Sequence, residues 1–353
     1  MADTEDFAPP DRPLRRGWTT GACATAATRS ALQALLGGEF EDPVTIRLPG
    51  GQQPSFALAH EARGDGYAEA GIIKDAGDDP DVTHGALVIA RVAPGTPGTG
   101  ITFHAGEGIG TVTKPGLPIP PGEPAINPVP RRMMREVAEA LAPGGDFAIT
   151  IAIRDGARLA EKTWNPRLGI VGGLSVLGTT GIVVPYSCAA WIASIQRGVD
   201  VARAAGCQHV VGATGDASEQ AARARLGLPE EAYLDMGDFV GGLLKYLKRR
   251  PVERVTIAGG FAKLSKLAQG AMDLHSARGE VDRDAIALLL PVALRARVRA
   301  ANTMKEVLDI GGPGLARQVA RQARDVAQAI VGDSTRVDVL IVDRAGSIVG
   351  ESD

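Results

Sequence analysis

Three arginines stand where a helix is least hospitable to them. The run Asn127-Pro128-Val129-Pro130-Arg131-Arg132-Met133-Met134-Arg135-Glu136 reads as a proline-led helix start with Arg131, Arg132 and Arg135 in its first turns. Unpaired backbone N–H groups already make a helix N-terminus partly positive, so cations there are unfavourable unless an anion sits among them. The competing account pairs Arg132 with Glu136 and Arg135 with Glu139 at i,i+4 spacing. Such pairs give only about 0.2–0.5 kcal/mol, and Arg131 stays unexplained. Forked guanidinium donors match carboxylates well. The stretch 107–127 leading in is too rich in Gly and Pro for regular structure and carries Lys114, so it reads as a binding loop feeding an anion-binding helix.

A second concentration of chemistry lies in 74–85, where four aspartates and a histidine crowd a loop between two predicted strands. Asp75, Asp79 or His84 could take or place a proton; Asx turns in a solvated acidic loop are the other reading. The spacing matches neither an EF-hand nor a zinc site, so no metal site on the protein is expected. Gly178-Thr179-Thr180-Gly181 and Gly212-Ala213-Thr214-Gly215 each follow a predicted strand, at the carboxyl ends where α/β folds bind ligands. Neither completes a dinucleotide or nucleoside-triphosphate fingerprint. Asp235 could grip a ribose or serve a turn. Asp216 with Glu219 reads as an aspartate variant of the capping box, and Asp238 as a helix opener. Lys263 and Lys266 start a further helix, as a second anion contact or as a solvated face. His275 and Ser276 form no nucleophile arrangement, and Cys23 and Cys188 read as buried small residues.

The elements that must position these groups fall into two halves. A chain of 353 residues, 44% hydrophobic, suggests two domains. A formal charge of −3 argues against nucleic-acid or membrane binding through bulk charge. Three scattered cysteines, no spanning apolar run and an acidic, Pro-rich start without a signal peptide imply the cytoplasm. Disorder is expected in the first dozen residues. A polar leader, an Ala/Leu-rich helix and short strands at 44–48, 56–61, 67–73, 86–93, 102–104 and 147–153 predict an N-terminal α+β domain, residues 1–160, with a mainly antiparallel sheet. Strands at 174–177, 208–212, 232–235, 255–258 and 337–342 alternate with helices from Ser187, Asp216 and Asp238. Further helices are expected at 284–301, 303–310 and 315–330. This rhythm predicts a C-terminal Rossmann-like parallel α/β domain, residues 161–353.

Several strings taken in order, Arg16–Ala27, Lys74–Gly85, Glu107–Gly116, Gly122–Arg132, Gly178–Ile182, Met236–Val240 and Lys263–Leu267, closely resemble the CbiD family, the cobalt-precorrin-5B C(1)-methyltransferases of cobalamin biosynthesis. The resemblance covers nearly the whole chain. It implies methyl transfer from S-adenosylmethionine to ring carbon C1 of a corrin precursor whose cobalt arrives inside the substrate. On this reading Lys114, Arg131, Arg132 and Arg135 hold carboxylates of the tetrapyrrole. Gly178, Thr179, Thr180, Gly181, Gly212, Gly215 and Asp235 hold S-adenosylmethionine, and the 75–84 loop lines the reacting edge. The chain departs from the family pattern at Val183–Ala190, where acidic residues are expected. A nicotinamide-dependent reductase of a corrin intermediate and a non-catalytic tetrapyrrole carrier are the rival readings, and a homo-oligomer is left open.

Overall fold

A computed structural model describes residues 12–352; the leader expected to be disordered lies outside them apart from Arg12. The chain divides into two units, Met1–Ser187 and Cys188–Asp353. In the first, the elements are β1 (Gly17–Trp18), α1 (Thr20–Leu35), β2 (Val44–Thr45), β3 (Ser55–Phe56), β4 (His60–Gly64), β5 (Tyr67–Ile73), β6 (Leu87–Pro94), β7 (Ile101–Ala105), β8 (Thr111–Val112), α2 (Pro128–Leu141), β9 (Phe147–Ile153), α3 (Gly156–Ala160), β10 (Ile170–Val171) and β11 (Ile182–Val183). Five strands form a sheet in the order β4-β5-β6-β9-β7, antiparallel except for the β7–β9 pair. In β9, Phe147, Ile149, Ile151 and Ile153 point into the core and alternate with more exposed residues, the period of a strand with one buried face.

Helix α1 packs on β5 and β6 and against α2. Its composition permits this double contact, because Ala22, Ala24, Ala26, Ala27 and Ala31 are fully buried yet hold the helix close to both neighbours. The buried hydroxyls of Thr25 and Thr28 donate to Gly21 O and Ala24 O, both at 2.8 Å, so no polar group is orphaned there. Helix α2 buries Pro130, Met133, Met134 and Ala138 and turns Arg132, Arg135, Glu136 and Glu139 to solvent.

The second unit contains α4 (Cys188–Ala204), β12 (His209–Ala213), α5 (Asp216–Leu226), β13 (Tyr233–Asp235), α6 (Val240–Arg249), β14 (Arg254–Gly260), α7 (Phe261–Ala268), α8 (Arg283–Leu288), α9 (Val292–Ala300), α10 (Met304–Val331), β15 (Arg336–Val342) and β16 (Ile348–Glu351). Its sheet runs β13-β12-β14-β15-β16, the first four strands parallel and β16 antiparallel at the edge. Leu243, Leu244, Leu247, Ile257 and Val339 lie in its core. Among the described residues no helix is long and apolar enough to cross a membrane.

Four expectations are corrected. The division falls after residue 187 and not after 160, because 161–187 is stitched into the first unit: β10 pairs with β8, β11 pairs with β1, and Leu174 and Val176 bridge to Ile109 and Ile126. Residues 174–177 form those isolated bridges in place of a strand of a parallel sheet. The expected helix at 284–301 breaks into α8 and α9 at Pro291, whose ring cannot continue a helix. Gly215 caps α5 and Phe239 precedes α6, so Asp216 stands one position inside its helix and Asp238 outside.

Replacing the fully buried Met134 by Ala should cost about 2–5 kcal/mol, read as a lower chemical-denaturation midpoint. Arg132→Ala, two residues away on the exposed face, should change stability by about 0.5 kcal/mol or less.

Candidate functional site

The acidic loop, the 176–181 strip and the starts of α1 and α2 meet at one crossing of the backbone. The segment running into α1 passes between two loops: Trp18 N donates to Asp75 O at 2.7 Å, and Thr19 N donates to Gly181 O at 3.0 Å. Glycine makes the approach possible. A Cβ on Gly77 would lie 2.6 Å from Arg16 C and 2.8 Å from Gly17 N, and one on Gly17 would collide with the Ala76 backbone. On the other side a Cβ on Gly178 would strike the Thr19 side chain. Gly21 N then donates to Leu177 O at 3.1 Å and Asn127 N to Val176 O at 2.9 Å, so one strip of chain crosses the starts of both α1 and α2. A Cβ on Gly21 would stand 2.6 Å from Pro130 Cγ. Neither helix carries an acid in its first turn.

Within the acidic loop the three candidates differ. Asp75 takes both Nη atoms of Arg15, at 2.5 and 2.8 Å, and the Gly77 N–H. The Arg15 hydrogen bonds, more than any other cause, hold its carboxyl at about 2, too low for a proton acceptor near neutrality. Asp79 is half-buried and accepts Tyr186 N–H at 2.9 Å. Burial lifts its carboxyl above the usual range, the Tyr186 hydrogen bond opposes that rise, and the Asp81 charge adds to it. Tyr186 itself sits at φ 55°, a left-handed conformation rare for a bulky residue. His84 Nδ1 accepts Ala76 N–H at 3.1 Å, which puts the proton of the neutral ring on Nε2. Of the aspartates, Asp79 therefore suits proton acceptance best.

The arginines are also unequal. Arg131 Nε donates to Ile126 O at 2.8 Å, Nη2 to Pro124 O at 2.9 Å, and both Nη atoms to Glu123 Oε2 at 3.2 Å. Its side chain is 17% exposed. This arginine is a clamp on its own approach loop. Among the described residues Arg132, 58% exposed, meets Glu136 alone at 3.7 Å, a weak surface pair. Arg135 lies 4.9 Å from the Phe103 ring centroid and lines a shallow groove of about 850 Å³ with Glu136, Glu139 and Asp146. The stem of Lys114 packs over Gly169.

The cofactor candidates are divided between the units. Gly178, Thr179, Thr180 and Gly181 belong to the first unit, Gly212, Gly215 and Asp235 to the second. Gly212 is buried where a Cβ would meet Met236 Sδ at 3.0 Å and Leu243, so it serves packing. Gly215 has open space where its side chain would be, and Asp235 ends β13 in register with Ala213 of β12. Lys263 donates to Thr214 O at 3.1 Å and pairs with Asp238 at 3.0 Å, while Lys266 donates to Leu274 O and His275 O. Both lysines are engaged by their own unit. Among the described residues no group of three His, Cys, Asp or Glu side chains could hold a metal ion. Cys23 is buried, its thiol pushed up to about 12 by desolvation; Cys188 is exposed, against expectation, because it opens α4.

Sequence reasoning missed Arg15, Lys74 and Tyr186. Lys74 had a signal: Ala68, Ala70 and Ile72 form the buried face of β5, and the next position of that parity is Lys74. Arg15 and Tyr186 gave none, since their roles arise from contacts 60 and 107 residues away.

Family models named CbiD and CbiD, C-terminal domain, match residues 8–185 and 273–353. A Brucella anthropi protein named cobalt-precorrin-5B C(1)-methyltransferase is 58% identical over 349 residues, 95% of each chain. One of the same name from Brucella melitensis is 57% identical over 350 residues, again 95% of each. A crystal structure of the cobalamin biosynthesis protein cbiD from Archaeoglobus fulgidus shares 24% identity at a TM-score of 0.38, covering 70% of this chain and 77% of that one.

Asp75 has a folded value near 2 against an ordinary 3.8, so its pairing with Arg15 contributes stability above about pH 4 that is lost as pH falls toward 2. Asp75→Asn should flatten the stability profile across that window in acid titrations followed by circular dichroism. Arg131→Ala should lower stability by about 1–3 kcal/mol through the carbonyls and carboxylate it leaves unpaired.

Proposed function

The chain belongs to the CbiD family, and on that premise we propose that it transfers a methyl group from S-adenosylmethionine to ring carbon C1 of cobalt-precorrin-5B, giving cobalt-precorrin-6A in cobalamin biosynthesis. The observation that carries this reading is the 58% identity, across 95% of both chains, to a relative with that activity in its name. Cobalt belongs to the substrate. As the C–CH3 bond forms, the S–CH3 bond breaks, the sulfonium becomes a neutral thioether, and the macrocycle gives up one proton overall. Positioning and exclusion of water supply the rate enhancement, without a covalent enzyme intermediate.

Asp79 is the acceptor of that proton in this reading, supported by its half-buried carboxylate and by its elevated affinity for a proton. His84 Nε2–H is a donor in the same loop, and Asp75 is set aside as an acceptor. Arg132, Arg135 and Lys114 hold acetate and propionate groups of the corrin rim, with Arg131 fixing the loop that presents them. Gly178–Gly181 serves the macrocycle side, because it is built into the first unit. S-adenosylmethionine is assigned to the second unit, read as Rossmann-like, at the carboxyl edge of its parallel strands. The open Gly215 and the strand-ending Asp235 support that choice. The reaction is assigned to the cytoplasm.

Incubation of the purified protein with S-adenosylmethionine and cobalt-precorrin-5B should yield a product heavier by one methylene, with stoichiometric S-adenosylhomocysteine. Tight macrocycle binding without methylation would favour the carrier instead. Arg132→Ala combined with Arg135→Ala should raise KM for the macrocycle roughly tenfold or more and leave S-adenosylmethionine binding intact by calorimetry. Asp79→Asn should lower kcat about 100-fold.

A further inference from the structure

Lys74 is a lysine with almost no access to water. Its side chain is 3% exposed, and its ammonium meets Asp81 Oδ2 and Thr83 Oγ1. The backbone is tied at the same residue: Lys74 N donates to Ala86 O at 2.9 Å, and Gly85 N donates to Lys74 O at 2.8 Å. Asp81 Oδ1 in turn accepts Thr83 N–H at 2.8 Å and Thr83 Oγ1–H at 2.6 Å. The acidic loop is thus closed around one buried ammonium. Stability alone does not ask for this, because a well-packed apolar residue in place of a buried ion pair is often neutral or stabilising.

Charge matching across the loop shows what the ammonium is for. Asp75 pairs with Arg15, Asp78 with Arg12 at 3.5 Å, and Asp81 with Lys74. Among the described residues no basic side chain lies within ion-pair reach of Asp79, whose one hydrogen-bond partner is the Tyr186 N–H. The groups around it are Asp75, Asp78, Asp81 and His84 of its own loop, Lys74 at the end of β5, Arg12 and Arg15 of the leader, and Tyr186 after β11. Helix α1 adds Cys23, a neutral thiol in the field of Lys74, Asp75 and Asp81. Lys74 and Asp81 act on Asp79 with opposite sign.

We propose that Lys74 is a positioning residue for the reaction: its buried ammonium, locked to Asp81 and Thr83, fixes the acidic loop and balances the Asp81 charge, leaving the unpaired Asp79 to take the proton. The proposal rests on Asp79 as the proton acceptor. Removing the ammonium leaves two neighbouring carboxylates uncompensated and raises the Asp79 midpoint; removing the Asp81 charge lowers it.

The test uses the full-length protein, following the Asp79 carboxyl carbon by NMR titration alongside the pH dependence of kcat. Lys74→Met should move the midpoint and the acid limb of kcat upward by about one pH unit, Asp81→Asn should move both downward, and Lys74→Arg should stay closest to the parent. A merely structural lysine would lower kcat in both neutral variants without opposed shifts, and an Asp79 midpoint that does not move, or moves the same way in both, overturns the proposal. If Lys74→Met does not fold, the downward shift in Asp81→Asn decides. Opposed NMR shifts combined with full kcat in Asp79→Asn would uphold the tuning while removing Asp79 from the chemistry.

Discussion

Everything in the first unit hangs on a crossing of main chains at van der Waals contact. Residues 15–21 pass between the acidic loop and the Gly178–Gly181 turn with no room for a side chain at Gly17 or Gly77, where backbone meets backbone. Hydrogen bonds from Trp18 and Thr19 to those two loops then fix the register of the crossing. From that knot α1 departs under the sheet, and its first turn sets the position of Pro130 and hence of the arginine helix. Segments far apart in sequence are thereby brought together by the close approach of their backbones.

The electrostatics follow from the same arrangement. Two helix starts without first-turn acids lie beside a strip of exposed backbone, while the loop opposite is rich in aspartate. Cations of the leader and of β5 neutralise three of the four acids, so the loop is less anionic than its composition suggests. What is left over is unequal by design of position: Asp79 keeps its proton affinity, Arg132 keeps an open guanidinium, and Arg131 and Asp75 are absorbed into holding the scaffold. Residue type alone would have assigned all four the same status.

Much of the fold was legible because it rests on local periodicity. The limits of β5, β9 and the arginine helix follow from alternation, from the apolar stripe and from Pro128, all signals within a few residues. The break near Gly312 in α10 was likewise visible, a glycine at φ 61° followed by a proline. The segment 161–187 was misread because its partners, Gly17, Ile109, Thr111 and Ile126, are remote in sequence; a short apolar run looks alike whether it joins a parallel sheet or makes two-residue ladders and single bridges with distant segments. Chemistry-bearing residue types were identifiable, but their roles depended on acceptors that only folding supplies. The carbonyls of Pro124 and Ile126 turned Arg131 into a clamp, and Arg15 kept Asp75 ionised well into the acid range.

Helix α1 shows a further consequence of building by close approach. Leu32 apart, its buried positions already hold small residues, so the familiar loss of stability through cavity formation hardly applies to them. Almost any substitution there adds volume between a sheet and a helix that cannot separate without undoing the knot, at about 1–3 kcal/mol for each overpacked position. The mutational tolerance of this helix is therefore one-sided. Sequence drift can swap Ala, Ser and Gly among themselves, but enlargement is closed off even where the new side chain is apolar and an excellent helix former.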